Sequence, residues 1–163
     1  MKKILFIALF IPVLSFSQTK QDSLWLPFKN FIGKWEGVSE GQPGKGKYER
    51  TYSSVLNKKF IEVMNKSTYP ASQTHPMGEV HEDHGFISYD KGRKTFVLRQ
   101  FHIEGFVNQY RIESISADRN TIVFISEAIE NIPAGYRAKE TYQMISADEF
   151  TETFELAEPG KDF

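Results

Sequence analysis

From Gly33 onward the chain is a succession of segments of roughly ten residues, each closed by turn-forming residues, and that rhythm leaves few folds open. The segments run over 35–40, 47–56, 59–69, 79–89, 94–103, 106–116, 121–129, 136–145 and 150–156. Asn57-Lys58, Asp90-Lys91-Gly92, Glu104-Gly105, Asp118-Arg119-Asn120, Pro133-Ala134-Gly135 and Ala147-Asp148 punctuate them. Short strands at regular spacing predict an all-β, antiparallel up-and-down β-barrel of about nine to ten strands. A short helix over 23–31 precedes them. Asp22 or Ser23 is placed to cap it, Pro27 to sit in its first turn and Gly33 to end it.

The N-terminus reads differently. Lys2 and Lys3 precede an apolar run from Ile4 to Leu14, broken by Pro12, and Ser15-Phe16-Ser17 supplies small residues for cleavage. A membrane-spanning helix needs about 20 apolar residues, more than this run holds. The pattern predicts a signal peptide over 1–17 and a single exported domain over 18–163, periplasmic or secreted. No Cys follows the run, which argues against a lipid anchor. Loss of the two leader lysines takes the formal charge from −1 to −3. Without a basic block, phosphate neutralisation and hence a nucleic-acid partner are disfavoured. With no Cys anywhere, stability must come from a packed core.

The loop at Glu104-Gly105 sets an expected register. A two-residue turn pairs Ile103 with Phe106, Phe101 with Asn108, Arg99 with Tyr110 and Val97 with Ile112. Side chains alternate across a strand, so these share one face, and the face is mostly apolar. On that register Arg99, Phe101, Asn108 and Tyr110 point inward, while Gln100, His102, Gln109 and Arg111 point out. A guanidinium, an amide and a phenol among large apolar groups suit a wet ligand cavity. The counter-ion of Arg99 is then either an acidic, apolar ligand or an inward carboxylate such as Glu152. His84, flanked by Val80 and Phe86, and Arg137, which could meet Glu127 at the rim, complete the expected ligand-binding set.

Phe31-Ile32-Gly33-Lys34-Trp35-Glu36-Gly37 resembles the opening of calycin-type, lipocalin-like barrels. With Tyr48-Glu49-Arg50, Phe60-Ile61-Glu62-Val63, the run from Arg99 to Phe106 and the closing Glu152-Thr153-Phe154-Glu155-Leu156, the chain more specifically resembles the nitrobindin-like, heme-binding-type barrels and their exported bacterial relatives. The resemblance implies a barrel of ten strands, with Gly33 and Trp35 structural and the Trp packed across the closed end. That family's heme-bearing His lies near the C-terminal end, whereas no His follows His102 here. Heme, and isomerase chemistry with it, is therefore disfavoured. Pro159-Gly160-Lys161 reads as a turn into a strand that barely exists, so the barrel is either open at one seam or shortened.

Catalytic machinery is not legible. The chain has no Gly-x-Ser-x-Gly elbow and no Cys nucleophile. The Gly41–Gly46 segment lacks the Lys-Ser/Thr ending of a phosphate loop. His81 and His84 fall on opposite faces of one strand, so no metal site is expected. Two functional classes remain: a barrel that binds a small apolar or amphipathic molecule, and a heme or metal barrel using His84 or His102 for redox or isomerase chemistry. Beside these two stands a purely structural domain.

Overall fold

The computed structural model describes residues 23–41 and 44–163. The expected leader, its cleavage site and Asp22 lie outside the described residues. The described chain forms β1 (Gly33–Gly41), β2 (Gly44–Val55), β3 (Phe60–Tyr69), β4 (Glu79–Asp90), β5 (Thr95–His102), β6 (Val107–Ile115), β7 (Thr121–Glu130), β8 (Arg137–Ser146) and β9 (Glu149–Ala157). Each strand pairs antiparallel with the next, giving one sheet in the order β1 to β9. Among the described residues β9 does not pair with β1, so the sheet is a curled half-barrel with a seam. Among the described residues no tenth strand follows Ala157. Instead Arg137 donates to the Lys161 carbonyl and lies 4.8 Å from the Phe163 ring centre.

The helix before β1 is a 3-10 turn, Leu26–Phe31, with Pro27 in its first turn as expected. Its cap position is Trp25, with no side-chain cap hydrogen bond, rather than Ser23. Ser23 and Leu24 ahead of it are α-helical, and the turn plugs one end of the sheet. Phe28 and Phe31 drop into the interior, both almost fully buried. Phe28 meets Phe96 edge-on at 4.9 Å, and Phe31 meets Phe150 at 5.3 Å. Such aromatic pairs add about 0.5–1.5 kcal/mol each beyond the area they bury. Trp35 sits at this closed end too, its ring 4.8 Å from Phe150 and its Nε1 donating to the Phe31 carbonyl at 2.8 Å. It thereby joins β1 to β9 where backbone pairing does not.

The register between β5 and β6 differs from the expected one by a single residue. Val97 pairs with Arg111, Leu98 with Tyr110, Arg99 with Gln109, Gln100 with Asn108 and Phe101 with Val107. The cause is the turn. Gly105 N–H donates to His102 C=O, His102 N–H donates to Phe106 C=O, and Gly105 has φ +89°. Ile103, Glu104 and Gly105 thus make a three-residue loop ending in a left-handed glycine, instead of a two-residue one. A slip of one residue exchanges the faces of a whole strand. On β5 the inward residues are Phe96, Leu98, Gln100 and His102.

Gly85 on β4 makes room for this face. A Cβ there would lie 2.4 Å from the Arg99 carbonyl oxygen and 3.0 Å from Gln100 Cγ. Backbone cannot yield as a flexible side chain can. Gly85→Ala is expected to cost about 1–3 kcal/mol, as overpacking does, read as a lowered urea midpoint with an unchanged denaturant slope.

Candidate functional site: a polar chamber inside the half-barrel

Above the aromatic plug the inward face changes character. Register places Arg50 of β2 opposite Asn65 of β3, Asn65 opposite Asp83 of β4, and Asp83 opposite His102 of β5. Alternation turns these side chains into the interior, and Gln100, Asn108, Glu140 and Glu152 join them from β5, β6, β8 and β9. Each flanks apolar or aromatic inward neighbours, such as Tyr48 and Tyr52 beside Arg50, or Ala138 and Tyr142 beside Glu140. The backbone pattern therefore leaves them no outward alternative without flipping a core strand.

Arg50 is the centre. Its Nη2 donates to Glu152 Oε1 at 2.5 Å, and its Nη1 lies 3.8 Å from Asp83 Oδ2. The guanidinium also stacks 4.3 Å from the Tyr48 ring centre. Asp83 Oδ1 accepts from Asn65 Nδ2 at 2.6 Å and from Gln100 Nε2 at 3.2 Å. A second chain of bonds runs from Asn108 Nδ2 to the Tyr110 hydroxyl at 2.7 Å, and Tyr110 in turn bonds Glu140. The Tyr142 hydroxyl donates to Glu140 as well. Glu152 and Asp83 act on Glu140 through their charge, which makes the two chains one electrostatic unit.

Three carboxylates thus share the interior with one guanidinium. Burial pushes Glu140 up to about 8, and the neighbouring Glu152 charge adds to the push. Burial likewise raises Asp83 to about 6 against the pull of Arg50. Glu152 is raised by burial, with Arg50 opposing. Burial works against the Arg50 charge, yet Glu152 and the surrounding phenols hold its pKa above the usual guanidinium value. His102 is pushed down to about 4 by burial, leaving a neutral imidazole. Its Nε2 faces Asn108 Nδ2 at 3.2 Å, and its ring stacks 4.0 Å from Phe106.

Five buried polar atoms have no partner among the described residues: the Tyr52 hydroxyl, Asn65 Oδ1, Gln100 Oε1, Asn108 Oδ1 and Glu152 Oε2. Leaving such an atom unsatisfied costs about 1–3 kcal/mol, so each of them is an open acceptor or donor site inside the sheet. No known protein family matches this chain, and no curated protein is similar enough to be matched. The chemistry of the chamber has to be read from its own residues.

Of the residues expected from sequence, Asn108, Tyr110 and Glu152 do face the interior. The others do not. Arg99 is exposed and donates to Gln109 Oε1 at 3.2 Å, and Phe101 is 53% exposed, because the three-residue turn moves both to the outer face. Glu152 is accordingly the partner of Arg50, not of Arg99. His84 also points outward, bonded to Glu62 Oε1 at 3.0 Å, while His102, expected outside, is inside. Arg137 is exposed and engaged by the C-terminal residues, and Glu127 pairs with Arg93 at 2.8 Å. Gly33 opens β1 at φ +145° and Trp35 stands at the plugged end.

His81 and His84 do lie on opposite faces. His81 is held by Glu79 and Glu104 and meets the ring of the inward-facing Tyr69 at 5.7 Å, whereas His84 meets Phe86. Met64, His84, Phe101 and Ile103 border an open groove of about 480 Å³ that Asn65, Asp83 and His102 also line. Sequence reasoning missed Arg50, Asp83, Gln100 and Glu140. The signal was present in the alternation of β8, where Ala138, Glu140, Tyr142 and Met144 share a face opposite Lys139, Thr141 and Gln143.

Proposed function

We propose that this protein is an exported small-molecule-binding barrel that holds its ligand in the polar chamber around Arg50. The observation that supports this reading most is the set of five unpartnered buried oxygens, one of them the hydroxyl of Tyr52 in the aromatic core. A domain kept only for its shape gains nothing from burying three carboxylates and a guanidinium. Apolar side chains of the same volume would serve stability as well or better. The resemblance to nitrobindin-like barrels points the same way, toward a fold whose interior is a binding space. Export rests on Lys2, Lys3 and the apolar run to Leu14. The chamber is also not sealed, since the Asp83 and Glu152 side chains keep 15% and 14% of their exposure.

Native mass spectrometry of the barrel purified without denaturant is expected to show a second species heavier by one small organic molecule. That species should collapse to the bare chain mass under denaturing conditions. A single bare mass from every preparation, native host included, would contradict the reading.

The inward, neutral imidazole of His102 supports a second reading, a heme held by that residue. An absorption spectrum of the same sample with added heme separates the two. The binding-barrel reading expects no Soret band that His102→Ala removes.

A further inference from the structure

We propose that the chamber takes a ligand bearing a protonated amine, held by Glu152 Oε2 together with the amide oxygens of Asn65, Gln100 and Asn108. This deepens the binding function above and rests on it. Hydrogen-bond polarity and charge carry the inference, and they agree.

The unpartnered atoms are all oxygens. Glu152 Oε2 and the three amide oxygens are pure acceptors, and the Tyr52 hydroxyl is the one member able to donate. The amide orientations are not arbitrary. Asn65 and Gln100 both turn their nitrogens toward the Asp83 carboxylate, which accepts and cannot donate when ionised. Their oxygens are thereby left on the other side of each amide. Asn108 spends its nitrogen on Tyr110 and His102 in the same way. Asn65, Gln100 and Asn108 are 5%, 1% and 1% exposed, so bulk water does not satisfy them. An ammonium group offers three donors and no acceptor, the complement of such a lining.

Charge points to the same guest. Asp83, Glu140 and Glu152 outnumber Arg50, and buried carboxylates in excess must take up either protons or a cation. An acid entering here would meet acceptors it cannot pair with and carboxylates that repel it. The expectation of an acidic ligand depended on an inward Arg99, and Arg99 is on the outside. The Tyr48 ring already carries the Arg50 guanidinium, which leaves the nearby rings of Tyr52 and Tyr142 to attract a further cation. The remaining cation of the chamber, Arg50, is already committed to Glu152 Oε1, leaving Oε2 for the guest.

Three matched probes test this by titration calorimetry at pH 7 on the whole barrel: phenethylamine, phenethyl alcohol and 3-phenylpropionate. The amine is expected to bind at least about tenfold more tightly than the alcohol, and the acid more weakly than both, since each tenfold is only 1.4 kcal/mol of differential pairing. Glu152→Gln should erase the preference for amine over alcohol. Because that change also touches Arg50, Asn108→Leu serves as a second variant, and it should weaken the amine several-fold while sparing the alcohol. Arg99→Met, on the outer face, should change nothing. Equal affinity for amine and alcohol, tighter binding of the acid, or a preference that survives both variants would overturn the inference. If no probe binds although native mass spectrometry shows a bound organic molecule, the amine proposal falls and the binding function stands. If neither is seen, both fall.

Discussion

Replacing Arg50 by Met should lower the stability of the barrel by about 3–5 kcal/mol, the cost of leaving a buried charge without its partner. Two carboxylates lose their cation at once: Glu152, bonded at 2.5 Å, and Asp83, at 3.8 Å. In a domain of this size each kcal/mol moves Tm by about 2–4 °C, so a fall of roughly 10 °C or more is expected by calorimetry. The loss should shrink at pH 5, where Asp83, raised by burial to about 6, can take a proton and shed its charge. Adding Glu152→Gln to the Met variant should recover most of the loss. Arg99→Met is the matching control. Its guanidinium is exposed and bonded to Gln109 alone among the described residues, so a change within about 0.5 kcal/mol is expected. Equal effects of the two substitutions would place the buried charge at the wrong arginine.

Stability should also fall as pH rises from about 6.5 to about 8, and Glu140 is the reason. Burial, reinforced by Glu152, raises its folded pKa from an ordinary 4.5 to about 8. The folded state therefore holds a proton that the unfolded chain has already released, and stability declines with pH across that interval. Asp83 acts in the same direction, from its ordinary 3.8 up to about 6. His102 opposes them, because burial lowers its folded value to about 4, and unfolding then takes up protons between about 4 and 6.5. Above 6.5 that opposition is spent and the Glu140 contribution stands clear. At 1.36 kcal/mol per pH unit, the fall to pH 8 should be about 2 kcal/mol. His81 is raised through its bonds to Glu104 and Glu79, in spite of burial, and adds a smaller loss of the same sign from the water-screened rim. Glu140→Gln should flatten the decline, measured as denaturant midpoints at pH 6.5 and 8. A decline of undiminished slope in that variant would assign it elsewhere.

The fold was legible because strand length and turn chemistry are local. The boundaries of β2, β3 and β4 follow from Asn57-Lys58, Pro70 and Asp90-Lys91-Gly92 without any knowledge of their neighbours. The site was legible only where local alternation sufficed, at Asn108, Tyr110 and Glu152. It failed at β5, since whether Glu104-Gly105 closes as a two- or three-residue loop is a difference of one residue that composition does not decide. The error then carried to every side chain on that strand. Outward Phe101 and inward Gln100 run against hydrophobic patterning. Burying Gln100 is tolerable because Asp83 accepts from its amide, a contact between β4 and β5 that no reading of either strand alone contains.

Guests should enter the interior around Arg50 rather than the outer groove, and side-chain amide NMR reads the difference. With nitrogen-15 labelling, the NH₂ signals of Gln100 and Asn108 can be followed as phenethylamine is added. Both should shift together and saturate together, while the backbone signals of Met64, Phe101 and Ile103 along the outer groove stay in place. Shifts confined to the groove residues, with the two interior amides unmoved, would contradict binding around Arg50.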